Sequence, residues 1–345
     1  MVRFLLLCLL FLAPWSLLAA PVASLTSLDG DVTILRNGVL ISSEKVGEGF
    51  AVEAFDTITT GASGRTDLRF PASTGLTGAV RLDPETSLFL ELSSLKREQT
   101  AGVELLTGGV TVRLLGISGA SAVEVRTEVG VFRSSGPAFR VVLGPAGDAL
   151  VTATAGKVQC QRDGRTIFVE PGSVAESFTL DRAVRTSTVN ASTLDSYETT
   201  WIRQRRQVFG DQAVLFFRAL ATRYQLQAAY FQRAWDRVQR EAKDPGSSGA
   251  VANLRRAAFP LERSLCRVAA LGKLVDDGVL SPSVELSRDY SAKDFFRQAA
   301  QDRASWTARL GEARGLYKTQ ADLHGGEFPK ASGSAGITYD SAFFQ

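Results

Sequence analysis

Histidine and cysteine are scarce in this 345-residue sequence, which contains one histidine, His324, and three cysteines, Cys8, Cys160 and Cys266. One histidine nearly excludes a histidine-rich metal site, and three cysteines are too few for an all-cysteine zinc site. A Ser–His or Cys–His catalytic relay would depend on His324, which lies in a glycine-rich segment near the C-terminus. The sequence therefore predicts no metal, no cofactor and no nucleophilic active site.

Charge is also low, since the formal net charge is +3 at pH 7. That value is too small to indicate a nucleic-acid partner. The glycines do not form a Gly-Lys-Ser/Thr phosphate loop. One catalytic alternative stays open, because Asp56, Asp67, Asp83 and Glu85 lie in one strand-rich stretch. Paired carboxylates placed by the fold could serve a carboxylate-based envelope hydrolase.

Long apolar runs are missing except at the N-terminus. Residues 1–20 combine Arg3, an unbroken apolar run at 4–12 and a small-residue end at Ala20. This pattern predicts an export signal peptide, since the run is about half as long as a bilayer span requires. Cleavage after Ala20 or Ser24 and an uncleaved anchor remain alternatives. We expect a periplasmic or cell-envelope location and no transmembrane span in the mature chain.

Cys8 lies in the predicted signal peptide, so the mature chain would keep Cys160 and Cys266. Export would permit a disulfide bond between these two cysteines. Cys160 alternates with Val158 on a predicted strand, and Cys266 lies in an apolar helical stretch. Both patterns are also typical of small buried apolar residues. Free buried thiols and a Cys160–Cys266 bridge therefore both remain open.

Residues 22–190 have the composition of an all-β domain, with many Val, Thr, Leu and Gly residues between recurrent turn signals. A Gly-x-Val step into a strand occurs at Gly30, Gly108 and Gly156, and Gly136 marks another turn. Glycine at such positions permits the backbone conformation of a tight turn. The sequence predicts either a β-solenoid or a rolled β-sandwich.

Residues 195–322 change to a helical period. Apolar side chains recur at steps of three, four or seven over 196–243, which predicts one long helix. Breaks near 244–250 and 280–290 divide the region into about three helices, the second at 251–277 and the third capped by Ser291. An antiparallel α-helical bundle or long helical hairpin is expected, followed by a flexible tail at 323–345.

Five side chains on the predicted long helix are candidate partner contacts. Arg203, Arg205 and Arg206 could bind an acidic envelope component, although a solvated helix face is the alternative. Phe217 and Tyr230 belong to adjacent aromatic pairs that widen the apolar face. Core packing is the alternative for these rings, but a wide face could also contact another envelope protein or a second copy of the chain.

The order of several short motifs in the β half resembles the FecR domain, a module of bacterial envelope proteins. Examples are Leu-Asp-Gly-Asp-Val at 28–32 and Asp-Thr-Ile-Thr-Thr-Gly at 56–61. Further matching segments lie at 47–50, 82–88, 105–110, 125–131, 136–141, 155–158 and 169–173. Phe55 and Pro137 depart from the pattern, where the family usually has glycine and threonine. The resemblance covers about half of the chain, and the helical half resembles no family.

The resemblance implies an extracytoplasmic β module that contacts proteins or envelope components. FecR-type regulators of the inner membrane also have a cytoplasmic part that handles a sigma factor. Only three residues precede the apolar run here, so we do not expect that role. The predicted function is a non-catalytic protein–protein interaction or scaffold module of the envelope. Glycan or small-ligand binding by the β domain is the alternative, followed by the carboxylate-based hydrolase.

Overall fold

The computed structural model describes ten segments of the chain: residues 22–36, 39–53, 56–70, 76–91, 100–117, 122–134, 136–181, 184–241, 285–287 and 290–323. The predicted signal peptide, the predicted helix at 251–277, His324 and Cys266 lie outside the described residues. The same holds for the predicted tail from residue 324 onward.

The first half of the chain is a two-sheet β domain, which confirms the predicted all-β class. Its described strands are β1 (Ala23–Asp29), β2 (Val32–Arg36), β3 (Val39–Ile41), β4 (Ala51–Val52), β5 (Thr57–Thr60), β6 (Arg65–Arg69), β7 (Leu76–Leu82), β8 (Ser87–Glu91), β9 (Thr100–Thr107), β10 (Gly109–Ile117), β11 (Ala122–Thr127), β12 (Gly130–Ser134), β13 (Ala138–Leu143), β14 (Ala149–Ala155), β15 (Val158–Arg162), β16 (Arg165–Val169), β17 (Ser173–Ser177) and β18 (Val184–Thr188). Sheet A has the order β18-β17-β14-β13-β10-β7-β6-β1-β4, and sheet B has the order β16-β15-β12-β11-β9-β8-β5-β2-β3.

The two sheets enclose one apolar core. Alternate residues of each strand point into it, so Leu25 on sheet A and Ile34 on sheet B are both fully buried. Among the described strand pairs, β9 and β11 are parallel and the others are antiparallel. A regular solenoid would stack parallel coils, so the arrangement corresponds to the rolled sandwich of the two predicted architectures.

The turn glycines lie where the chain passes from one sheet to the other. Gly30, Gly108 and Gly156 have left-handed φ angles of 65°, 79° and 79°. Each joins a strand of one sheet to the next strand in the other sheet. Gly136 lies at another such crossing, between β12 and β13. The two glycines are close together, since a Cβ at Gly156 would lie 2.7 Å from the Cα of Gly136. The weak Gly-x-Val repeat of the sequence therefore corresponds to repeated sheet crossings.

The region after the β domain is helical, as predicted. The described helices are α1 (Leu194–Asp211), α2 (Ala213–Glu241) and α3 (Ala292–Leu323). Shorter elements are the 3-10 turns Ser43–Lys45 and Ala191–Thr193 and a small hairpin of β19 (Glu285–Ser287) and β20 (Tyr290–Ser291). The predicted cap of α3 is confirmed, since the amide of Asp294 donates to Ser291 Oγ at 3.2 Å. None of the described helices is long and apolar enough to cross a bilayer.

The prediction of one continuous helix over 196–243 is wrong, because the helix breaks between α1 and α2. Gln212 has φ −116° and ψ 15°, outside the helical region. Gly210 lowers the helix propensity just before the break. The rings of Phe209 and Phe216 pack across it with centroids 5.3 Å apart. Side-chain packing therefore favours a bend that the sequence periodicity does not reveal.

Helices α2 and α3 run in the same direction. Phe217 meets Phe295 near the start of both helices, and Phe231 meets Trp306 further along, at centroid distances of 6.2 and 5.8 Å. Tyr224 also donates to Asp302 at 2.7 Å. The contacts therefore follow the same order along both helices.

Candidate interaction surface

Helix α1 is held on the outer face of sheet A by an apolar contact. Trp201 is only 3% exposed and packs with Leu150 of β14, Val174 of β17 and Val189. Leu150 points away from the sandwich core because its neighbours on β14, Ala149 and Val151, point into it. The outer face of sheet A is thus a docking site for the helical half.

Charged pairs at both ends of this contact fix α1. Arg140 of β13 donates to both carboxylate oxygens of Glu198 at 2.8 and 2.7 Å and to Asp83 at 2.5 Å. Burial would lower the pKa of Arg140, but Glu198 and Asp83 outweigh it and raise that pKa further above its ordinary value. The Arg140–Glu198 pair was not predicted from the sequence, although a lone arginine among the apolar residues of β13 indicates a buried partner.

Arg205, a predicted partner contact, is instead engaged within the chain as part of the same contact between α1 and the β domain. Its Nε donates to Asp148 Oδ2 at 2.8 Å, and its guanidinium lies over the Phe178 ring at 4.8 Å. Asp148 is 1% exposed and also accepts from the amide of Thr179. Arg203 and Arg206 differ from Arg205 because both are exposed on α1.

The two aromatic candidates on α2 also have different positions. Phe217 is fully buried and makes edge contacts with Phe295 and Phe296 at 6.2 and 5.5 Å. This predicted partner contact therefore lies in the helical core. Tyr230 is 50% exposed. It lies among the exposed residues of the helix.

Tyr230 lies beside a row of exposed side chains that we call the outer seam: Leu215, Ala219, Thr222, Leu226, Ala229 and Arg233. Leu215 is 58% exposed and Leu226 is 68% exposed. The alternating steps of four and three are the spacing of a coiled-coil contact. Neither leucine was predicted as a contact from the sequence, because the first apolar stripe of α2 already accounted for the helix.

Three of the four carboxylates considered for hydrolysis are engaged with arginines. Asp56 pairs with Arg36 at 2.7 Å, Asp83 pairs with Arg140, and Asp67 pairs with Arg81 at 2.7 Å. Arg81 holds the pKa of Asp67 below its usual range, chiefly by hydrogen bonding. The general acid of a glycosidase needs the opposite shift. Glu85 lies in the turn between β7 and β8 with φ 58°. Within the described residues, no cluster of His, Cys, Asp and Glu could hold a metal ion.

Comparison with known proteins gives limited matches. No protein-family model matches the chain, and no curated protein matches it. Two crystal structures of a candidate anti-sigma factor from Parabacteroides distasonis ATCC 8503, at 2.50 and 1.65 Å resolution, are similar to part of it. Each has 14% sequence identity and a TM-score of 0.35 and covers 41% of this chain. The matched region spans 63% of that protein's length.

Proposed function

We propose that this chain is an exported envelope protein in which a FecR-like β domain positions a helical protein-interaction module. The observation that carries the proposal is the outer seam of α2. Isolated apolar residues are common on protein surfaces, but a row on one helix face is typical of a contact site. Leu215, Leu226 and Tyr230 form such a row, each at least half exposed.

In this proposal the β domain orients helix α1 and, through it, helix α2. Trp201 and the Arg140–Glu198 and Arg205–Asp148 pairs tie α1 to sheet A at both ends. Helix α2 begins at Ala213, directly after the bend at Gln212. Fixing α1 therefore limits the directions in which α2 can point. A contact surface held in place before binding loses less entropy when its partner arrives.

The envelope location rests on the sequence of residues 1–20 and on the FecR-like motifs of the β half. Fractionation of the native host, with the N-terminus of the purified protein determined by mass spectrometry, tests it. We expect the protein outside the cytoplasm. Recovery of the chain in the cytoplasm would contradict the location and leave the interaction role to be judged separately.

Crosslinking in the native host tests the interaction role. The full chain is compared with Leu226→Glu, which places a charge in the outer seam, and with Gln225→Glu, which places the same charge on a neighbouring exposed position. We expect discrete crosslinked species in the wild type and in Gln225→Glu, and their loss in Leu226→Glu. Identical products from all three proteins, or no products from the wild type, would contradict the proposal.

A further inference from the structure

We propose that the β domain has a binding site of its own, the free edge of strand β16, which pairs with an extended peptide segment of another protein. This site is separate from the outer seam of α2. Strand β16 (Arg165–Val169) is the last strand of sheet B, so only one of its sides is paired, with β15. The unpaired side of an edge strand presents main-chain N–H and C=O groups that an added strand can bind.

The two large sheets have three other edges, and each is protected in a way that β16 is not. Strand β4 has two residues, and β3 has three and lies beside helix α3. Strand β18 has the sequence Val-Arg-Thr-Ser-Thr, in which four of the five side chains are charged or polar. Strand β16 is five residues long, keeps a regular register with β15 and contains Thr-Ile-Phe-Val. Such side chains favour strand pairing, and short or polar edges discourage it.

The turn before β16 determines which of its main-chain groups are free. Both residues of the turn at 163–164 have left-handed φ angles, 48° and 74°, as in a two-residue type I′ hairpin. In such a hairpin Arg162 and Arg165 form a hydrogen-bonded pair, and bonded and non-bonded pairs then alternate along the ladder. The N–H and C=O groups of Thr166 and Phe168 therefore point away from β15.

The side chains at this edge favour an apolar contact. Phe168 is 61% exposed, and Thr166 is exposed as well. Within the described part of the chain, no backbone hydrogen bond outside the strand ladders reaches either residue. The Phe168 ring lies on the outer face of sheet B, because its neighbours Ile167 and Val169 face the sandwich core. An added strand would place an apolar side chain beside this ring, a kind of pair that stabilises neighbouring strands.

Arg165 adds a preference for charge. It is exposed and makes no ion pair among the residues that the structure describes. Just beyond the other end of β16, Glu170 pairs with Lys157 at 2.5 Å, so that end is already neutralised. In an antiparallel partner strand, the residue opposite Arg165 follows the one opposite Phe168 by three positions. The partner segment therefore has an apolar residue followed, three positions later, by an acidic one.

Binding of a synthetic peptide to the purified full chain tests the site. The probe is a capped, fluorescently labelled peptide with the core Val-Val-Thr-Asp, whose first Val would face Phe168 and whose Asp would face Arg165. We expect saturable binding by fluorescence anisotropy and slower hydrogen exchange of the Thr166 and Phe168 amides. N-methylation of the first Val and the Thr, whose amides face β16, should weaken binding by about tenfold or more. N-methylation of the second Val and the Asp, whose amides face solvent, is the matched control.

Variants of the protein test the same contact from the other side. Thr166→Pro removes an outward N–H and keeps the hydrogen bonds to β15, since proline is tolerated on an edge strand where its nitrogen faces solvent. It should weaken peptide binding by about tenfold. Phe168→Ala, which leaves the main chain unchanged, should weaken binding by about threefold. Leu226→Glu, in the outer seam, should leave it unchanged.

Four results would overturn the proposal. They are no binding at millimolar peptide, equal binding of the two methylated peptides, binding that is unchanged in Thr166→Pro, and a dimer of the full chain that Thr166→Pro abolishes. The last result would identify a second copy as the occupant of the edge. None of them bears on the outer seam, which Leu226→Glu tests by crosslinking, so this proposal and the proposed function can fail separately.

Discussion

Gly156 and Gly164 have nearly the same left-handed backbone, with φ of 79° and 74°, but different surroundings. A Cβ at Gly156 would lie 2.7 Å from the Cα of Gly136, whereas among the described residues no atom lies within 4 Å of a Cβ at Gly164. Gly164→Ala should therefore cost only backbone strain, about 1 kcal/mol. Gly156→Ala should cost about 3 kcal/mol or more, because the close approach to Gly136 is added.

Urea unfolding of the two variants measures this difference directly. Equal losses of stability would show that left-handed strain alone decides the cost and that the close approach of Gly136 and Gly156 is unimportant.

Cys160 provides a second test at the scale of one residue. The side chain is 1% exposed in the sandwich core, and burial raises the pKa of its thiol to about 12. The thiolate is the reactive form, so Cys160 should resist alkylation at about pH 8 in the folded protein. It should react readily in urea. Peptide mass spectrometry separates its labelling from that of Cys266, and rapid labelling of native Cys160 would contradict its placement.

Among the secondary-structure elements, the contact between α1 and sheet A gives two arginines of the same helix different roles. Arg205→Ala should destabilise the protein by about 3 kcal/mol, because it leaves the buried carboxylate of Asp148 without its ion pair. Arg203→Ala should change stability by less than about 0.5 kcal/mol, since Arg203 is exposed. Equilibrium unfolding in urea compares the two, and similar losses would contradict the assignment of Arg205 as the anchor.

The same elements show what the sequence could and could not predict. The alternating pattern and turn glycines sufficed for an all-β domain, because they reflect local backbone geometry. The choice between Arg203 and Arg205 could not be made, since the partner Asp148 lies 57 positions away from Arg205. The bend at Gln212 was equally hidden, because it depends on how Phe209 and Phe216 pack after folding.

The outer seam was not predicted from the sequence, for a different reason. The apolar residues of α2 form two stripes, and a single helical period describes only the stronger one. Once the structure assigns Phe217 and Phe231 to the core, Leu215 and Leu226 remain as a second set that the core does not need. Burial rather than periodicity separates the two sets.

At the scale of the whole molecule, the β domain and the helices have complementary roles. The sandwich supplies a large core between its sheets and uses the outer face of sheet A to hold α1. The bend at Gln212 then passes the chain to α2, whose inner side packs with α3. The larger apolar core thus lies in the β domain, and we propose that recognition lies on the exposed side of α2.

A photo-crosslinker scan along α2 in the native host tests most directly whether the outer seam makes the partner contact. The probe is placed in turn at the seam positions Leu215, Thr222 and Leu226 and at the exposed off-seam positions Gln225 and Gln239. We predict strong crosslinking at the three seam positions and little at the two others. Equal crosslinking at all five positions, or crosslinking confined to Gln225 and Gln239, would show that the outer seam is not the contact surface.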